Sequence, residues 1–247
     1  MRMWWNFLKN NLNTNSSEML HSKSKKQLVV SRYGESIDWI KKIEHLFQDI
    51  VIYEKNNSSN SYHKYKTIEL KNVGRESHTY LHHIIANYEE ISTYDNILFC
   101  QANPFDHCSE FLDKLKISDN YTNDPFYFKK VGSHEITFYY EPIEKVHPIG
   151  LPVFNFYYHL FFDSYMKNLE QTRNSLMVIP TNNIKFRSKV FYEYLIKYLS
   201  NRKNPLEGYI IERLWVPIFD GKTKDWISHY FSGRDKFLGM WNNQKIE

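Results

Sequence analysis

Four short apolar runs punctuate the first hundred residues, and segments of helical spacing separate them. The runs are Leu28-Val29-Val30, Ile50-Val51-Ile52 within residues 49 to 53, the stretch 66 to 70, and the stretch 96 to 100. Between the first two lies residues 36 to 47, with Ile37, Ile40, Ile43 and Phe47 recurring at three- and four-residue intervals, the signature of an amphipathic helix. Between the third and fourth, residues 75 to 89 place Leu81, Ile84, Ile85 and Tyr88 on one helical face. Strand, helix, strand, strand, helix, strand with helical crossovers calls for an α/β layer. The expected fold is a mostly parallel central sheet flanked by helices, with at least three of these four strands parallel.

The second half is less regular. Residues 137 to 140 and 176 to 179 read as strands. Residues 154 to 169, 189 to 199 and 207 to 219 read as helices, the last ending near Pro217. Residues 9 to 26 are rich in Asn, Ser and Lys and read as a linker, so 1–26 is an N-terminal arm and 27–247 one α/β domain.

Composition narrows the partners. A net charge of +4 is modest for 247 residues, and the 32 basic side chains are scattered. A nucleic-acid surface needs more clustered charge, so no nucleic acid is expected. No run approaches the roughly 20 apolar residues of a spanning helix. Met3 to Leu8 is apolar enough for a weak membrane-surface contact and too short for a signal segment. Two cysteines, Cys100 and Cys108, make no metal framework, and a reducing, cytoplasmic setting fits.

Chemistry-bearing residues gather where apolar runs stop. In open α/β sheets that edge, at the carboxyl ends of the strands, binds ligands. In Asn72-Val73-Gly74-Arg75-Glu76, Gly74 permits a tight turn, and the following helix turn offers N–H groups that favour anions. Arg75 is either a phosphate contact or half of a surface pair with Glu76. In Asn103-Pro104-Phe105-Asp106-His107, a carboxylate beside an imidazole can hold Mg²⁺ or Mn²⁺, while Asp106 can also cap the next helix. His78 and His82, four apart, read as a solvent-facing pair. Glu212 is a candidate general base or a structural ion-pair partner of Arg213.

These pieces, in this order, resemble a family of uncharacterised proteins carried by fungi, bacteria and large DNA viruses. Leu28 to Glu35 with Trp39 and Ile52-Tyr53 is similar to its V-V-S-R-Y-N-E … W … I-Y opening. Asn72 to Glu76 resembles N-x-G-R-E, and Phe99 to His107 resembles F-L-Q-G-D-P-F-D-H. Glu212-Arg213-Leu214-Trp215 resembles E-R-L-W. The family is itself likened to nucleotide-sugar glycosyltransferases of the GT-A type, in which a Rossmann-like half binds the nucleotide and an acidic motif after the fourth strand holds a metal.

The resemblance implies transfer of a sugar from a nucleotide-sugar donor to a glycan or other hydroxyl acceptor, with a divalent cation, Mn²⁺ or Mg²⁺, as cofactor. Tyr33 and Glu35 then line the nucleotide end, and Asn72, Gly74, Arg75, Gln101 and Arg213 complete the substrate contacts. Asp106 and His107 stand at the metal, and Glu212 joins Asp106 as a catalytic carboxylate. The chain departs from the pattern in three places. Gly34 replaces Asn, Ala102 and Asn103 replace Gly and Asp, and no Asp-x-Asp occurs anywhere. The alternatives are a non-catalytic glycan- or nucleotide-binding module of the same fold, or a metal-dependent hydrolase using the same edge.

Overall fold

A computed structural model of the chain describes residues 24–56, 64–106, 108–117, 151–162, 175–221 and 223–227. Five strands form one sheet: β1 (Lys26–Arg32), β2 (Asp49–Glu54), β3 (Lys66–Glu69), β4 (Asn96–Gln101) and β5 (Met177–Pro180), in the order β3-β2-β1-β4-β5. β1 runs parallel to both β2 and β4, with Val29 opposite Val51 on one side and Phe99 on the other. β3 is parallel to β2, and β5 is antiparallel to β4, with Ile97 opposite Ile179. The four strands expected from the apolar runs therefore share one sheet and are parallel throughout.

The central strands are buried on both faces, which is why they read as unbroken apolar runs rather than alternating ones. Side chains alternate across the sheet. Val29, Val51, Ile97 and Phe99 enter one core with Tyr80, Leu81, Ile84, Phe191, Leu214 and Trp215. Leu28, Val30, Ile52, Leu98 and Cys100 enter the other, with Ile37, Trp39, Ile40, Ile43 and Phe111. The first core is covered by α1 (Arg75–Ala86), α3 (Leu151–Phe161), α4 (Thr181–Ile184), α5 (Lys189–Lys197) and α6 (Leu206–Phe219), while α2 (Phe111–Ile117) covers the second.

The crossover from β1 to β2 is not the α-helix expected over 36–47. It consists of two 3₁₀ turns, Asp38–Lys42 and Glu44–Leu46. Ile40, Ile43 and Leu46 each donate their N–H to the carbonyl three residues back, and Ile37, Ile40 and Ile43 are all buried. Apolar residues every third position suit the three-residue turn of a 3₁₀ helix, which stacks i and i+3.

α6, Leu206–Phe219, agrees with the helix expected over 207–219 and runs through Pro217. The buried Arg187 donates Nη2 to the Pro217 carbonyl and Nε to the Ile218 carbonyl, satisfying the last turn, and its Nη1 pairs with Asp225 at 2.8 Å. The strand expected at 137–140, the end of the helix expected over 154–169 and nearly all of the N-terminal arm lie outside the described residues.

The histidines of α1 are not a solvent-facing pair. His78 is buried and stacks against His82, with ring centroids 6.3 Å apart. His83 is fully enclosed: Nε2 donates to the Gln27 side-chain oxygen at 3.0 Å, and Nδ1 accepts from the Tyr53 hydroxyl at 3.0 Å. α1 faces the sheet on one side and packs against α5 on another, so the width of its buried surface exceeds what its Leu and Ile residues mark.

The strand order reverses between β1 and β4. In sheets of this topology the crevice at such a reversal is the ligand site. Its rim here is made by Ser31 to Tyr33 after β1 and Gln101 to Asn103 after β4.

Candidate functional site

Two features build the candidate site at the carboxyl edge of the sheet: the turn that starts α1, and the α6 face that meets it. Gly74 and Arg75 are consecutive left-handed residues, with φ of 61° and 52°. Gly74 tolerates this conformation without cost; Arg75 does not. Space also demands glycine at 74, because a Cβ there would lie 2.6 Å from Leu199 Cβ and 2.7 Å from the Leu199 carbonyl oxygen. The Gly74 N–H donates to the Arg202 carbonyl at 2.8 Å, so it is spent on fastening the α5–α6 loop.

Lys55, the first residue after β2, holds the other side of the turn. Its buried ammonium donates to the Val73 carbonyl at 2.8 Å and to the Arg75 carbonyl. Burial pulls the Lys55 amine down to about 8, opposed by the nearby Glu76 carboxylate. The strained turn is thus clamped by a cation on one side and by the α5–α6 loop on the other.

The Arg75 side chain reaches α6. Its Nε lies 3.7 Å from Glu76 Oε2 and its Nη1 lies 3.9 Å from Glu212 Oε2, while the guanidinium sits 4.6 Å from the centre of the Tyr209 ring. Burial first, and the Glu76 carboxylate second, push Glu212 up to about 7, against the pull of Arg75 and Arg213. Arg213 is half-buried and donates back to the Tyr209 carbonyl at 2.7 Å. Ser175, buried just before β5, lies 3.5 Å from Glu76 Oε1 and accepts from the Trp215 indole N–H at 3.2 Å.

The other expected site residues lie along the same edge. Tyr33 is exposed, with Lys203 Nζ 5.0 Å from the centre of its ring, and its N–H donates to Glu35 Oε2 at 2.6 Å. Glu35 therefore shapes its own loop, and its carbonyl accepts from Arg32 Nε. Arg32 also makes a buried ion pair with Glu54. Asn72 and Gln101 are half-buried. Asp106 is exposed on the 3₁₀ turn Pro104–Asp106, joined by no contact to the Arg75–Glu212 cluster among the described residues. His107, expected beside it as a metal ligand, lies outside the described residues.

The fold brings Gly74, Arg75, Glu212 and Arg213 into one neighbourhood. Reading the sequence did not single out Lys55, Ser175 or Tyr209, nor Glu76 as a site residue in its own right. Lys55 carried a signal, since it directly follows a strand at the end of the sheet where ligands bind in folds of this class. Ser175 carried none.

Chemically, the cluster offers fixed cations beside a carboxylate of raised proton affinity, at the amino terminus of a helix. Such a set can bind an anionic group and take a proton from a hydroxyl. Among the described residues no three His, Cys, Asp or Glu side chains are grouped so as to hold a metal ion, and no helix is long and apolar enough to cross a membrane.

A family model described as a protein of unknown function (DUF3431) matches residues 28–121. The match runs from β1 past the end of α2, so it takes in Lys55, the Gly74–Arg75 turn, Glu76 and Asp106. It stops short of Ser175 and Glu212, and it covers under half of the chain. It supports a relation to an uncharacterised domain family. No match was found among curated proteins or among solved structures.

Proposed function

We propose that the carboxyl edge of this sheet is the donor site of a GT-A-like glycosyltransferase, which moves a sugar from a nucleotide-sugar to a hydroxyl acceptor. The observation that carries the reading is the Arg75 guanidinium lying between Glu76 and Glu212, on the turn that Lys55 holds at the carboxyl end of β2. The order β3-β2-β1-β4 supports it, because that is the order of a Rossmann-like nucleotide-binding half.

In this reading the exposed Tyr33 ring stacks on the base, and the donor diphosphate lies toward Arg75 and Arg213, whose charges offset its own. The Glu212 carboxylate takes the proton of the acceptor hydroxyl. The hydroxyl oxygen forms the new bond to the anomeric carbon, and the bond from that carbon to the diphosphate breaks, the electron pair leaving with the diphosphate. A proton acceptor works best when its pKa is near the working pH, and burial together with Glu76 moves Glu212 in that direction. In this reading Asp106 would hold a Mg²⁺ or Mn²⁺ ion, which would neutralise charge on the leaving diphosphate.

One observation favours a second reading. Asn103 stands where the resembling pattern has Asp, which suits a module that binds a nucleotide or glycan without turning it over. A thermal-shift screen of nucleotide-sugars, with and without Mn²⁺, tests both, because a ligand of the native state raises apparent stability by mass action. Sugar transfer predicts a raised Tm with one donor, and a product mass equal to acceptor plus sugar. Binding without any product selects the module. No shift with any nucleotide or nucleotide-sugar overturns the donor-site reading.

A further inference from the structure

The Arg75 contacts involve two carboxylates, and in the function proposed above only one of them, Glu212, takes the proton. Glu76 sits in the first turn of α1, held from two sides. Arg75 Nε lies 3.7 Å from one of its oxygens, and the Ser175 hydroxyl lies 3.5 Å from the other. Ser175 is fixed in turn by the Trp215 indole, one helical turn from Glu212 on the same helix. Arg75 and Ser175 are the two non-glycine residues of positive φ among those described, at 52° and 56°, and both lie against Glu76. Strain of this kind persists only where the surroundings enforce it, and it clusters at functional sites. The Tyr80 hydroxyl adds an independent sign. It is fully buried, has no hydrogen-bond partner among the described residues, and lies within electrostatic reach of both Glu76 and Glu212.

We propose that Glu76 is a positioning residue that acts through Glu212, the two carboxylates being held beside the one Arg75 guanidinium. The inference rests on reading Glu212 as the proton acceptor, and it explains what makes a glutamate basic enough for that task. Two carboxylates confined beside one guanidinium repel each other, so the first proton to arrive relieves the repulsion and is held tightly. The proton taken from the acceptor then rests on Glu212. The charged and titratable groups facing Glu212 are Arg75, Glu76 and Tyr80 from α1, and Tyr209 and Arg213 from its own helix. Glu76 also faces Lys55, the first residue after β2, and opposes the lowering of its amine by burial. Among these, Glu76 is the carboxylate that raises Glu212.

The test needs no substrate. In the full chain labelled with ¹³C at the glutamate carboxyl carbons, the Glu212 signal is assigned by its loss in Glu212→Gln and followed against pH in the wild type and in Glu76→Gln. The expected result is a fall of the Glu212 midpoint by about one pH unit or more in Glu76→Gln, because the nearest like charge has gone. An unchanged midpoint overturns the proposal. Should Glu76→Gln fail to fold, Glu76→Asp, which withdraws the carboxylate by one carbon, is expected to lower the Glu212 midpoint by a smaller amount, and an unchanged midpoint there overturns the proposal. Failure of nucleotide-sugars to bind would leave these curves untouched, so the two readings fail separately.

Discussion

Arg75 Nη1 stands 3.9 Å from Glu212 Oε2, and this contact ties the first turn of α1 to the middle of α6. The same guanidinium stacks near Tyr209 and reaches Glu76, so one side chain joins two helices and two carboxylates. Its removal should be felt in ligand charge before it is felt elsewhere. Arg75→Ala is expected to weaken binding of a nucleoside diphosphate much more than binding of the matching nucleoside, measured by titration calorimetry. Equal loss for both ligands would place Arg75 outside the diphosphate subsite.

The backbone of the same residue gives a separate prediction. At φ 52° an alanine keeps the left-handed strain and a glycine does not. Arg75→Gly should therefore be more stable than Arg75→Ala by about 1 kcal/mol in urea unfolding. Arg75→Ala as the more stable of the two would show that the turn relaxes when the side chain is removed.

Gly74 lacks that latitude. Gly74→Ala adds a Cβ that meets Leu199 and the His78 Cβ at 2.6–2.7 Å, in a left-handed conformation. A loss of about 2 kcal/mol or more is expected, larger than strain alone gives, because the α5–α6 loop must shift. Amide exchange should rise in residues 199 to 203 of the variant. A loss below about 1 kcal/mol with unchanged exchange there would mean that the close packing yields easily.

Buried neutral histidines set a pH dependence. Burial lowers His83 to about 3 and His78 to about 4, against an ordinary value near 6.5. As pH falls through 6.5 the unfolded chain takes up these protons and the folded chain does not. Stability is therefore complete above about 6.5 and is lost as pH falls toward the folded values, by up to about 1.4 kcal/mol per pH unit for each histidine. His83→Gln should lose less stability than the wild type between pH 7 and pH 5, even if it starts lower. Parallel losses would mean that His83 does not titrate differently in the two states.

Asp106 is exposed, so Asp106→Asn should leave unfolding stability within about 0.5 kcal/mol. It should also abolish any Mn²⁺-dependent rise in Tm seen with a nucleotide-sugar. A Mn²⁺ effect that survives in the variant would move the ion away from Asp106.

The sequence by itself determined the parallel strands β1, β2 and β4, since Val, Ile, Leu and Phe in short unbroken runs suit strands buried on both faces, while the exposed β3, Lys-Thr-Ile-Glu, was marked mainly by its place between them. It also determined that Gly74 and Arg75 open a helix at the carboxyl edge of the sheet, because a glycine between a strand-like stretch and an amphipathic one marks such a turn. It gave the correct spacing at Ile37, Ile40 and Ile43 but not the helix type, because three-residue intervals serve α and 3₁₀ turns alike until packing selects one. Only the tertiary structure decided that His78 and His83 are enclosed, because their burial comes from α5 and from Gln27 and Tyr53, each distant in sequence. It alone placed β5 antiparallel beside β4, and it alone set Glu212 against Arg75 and Ser175 against Glu76. Those contacts join residues a hundred or so positions apart, and their energies depend on distance and burial, which local composition does not encode.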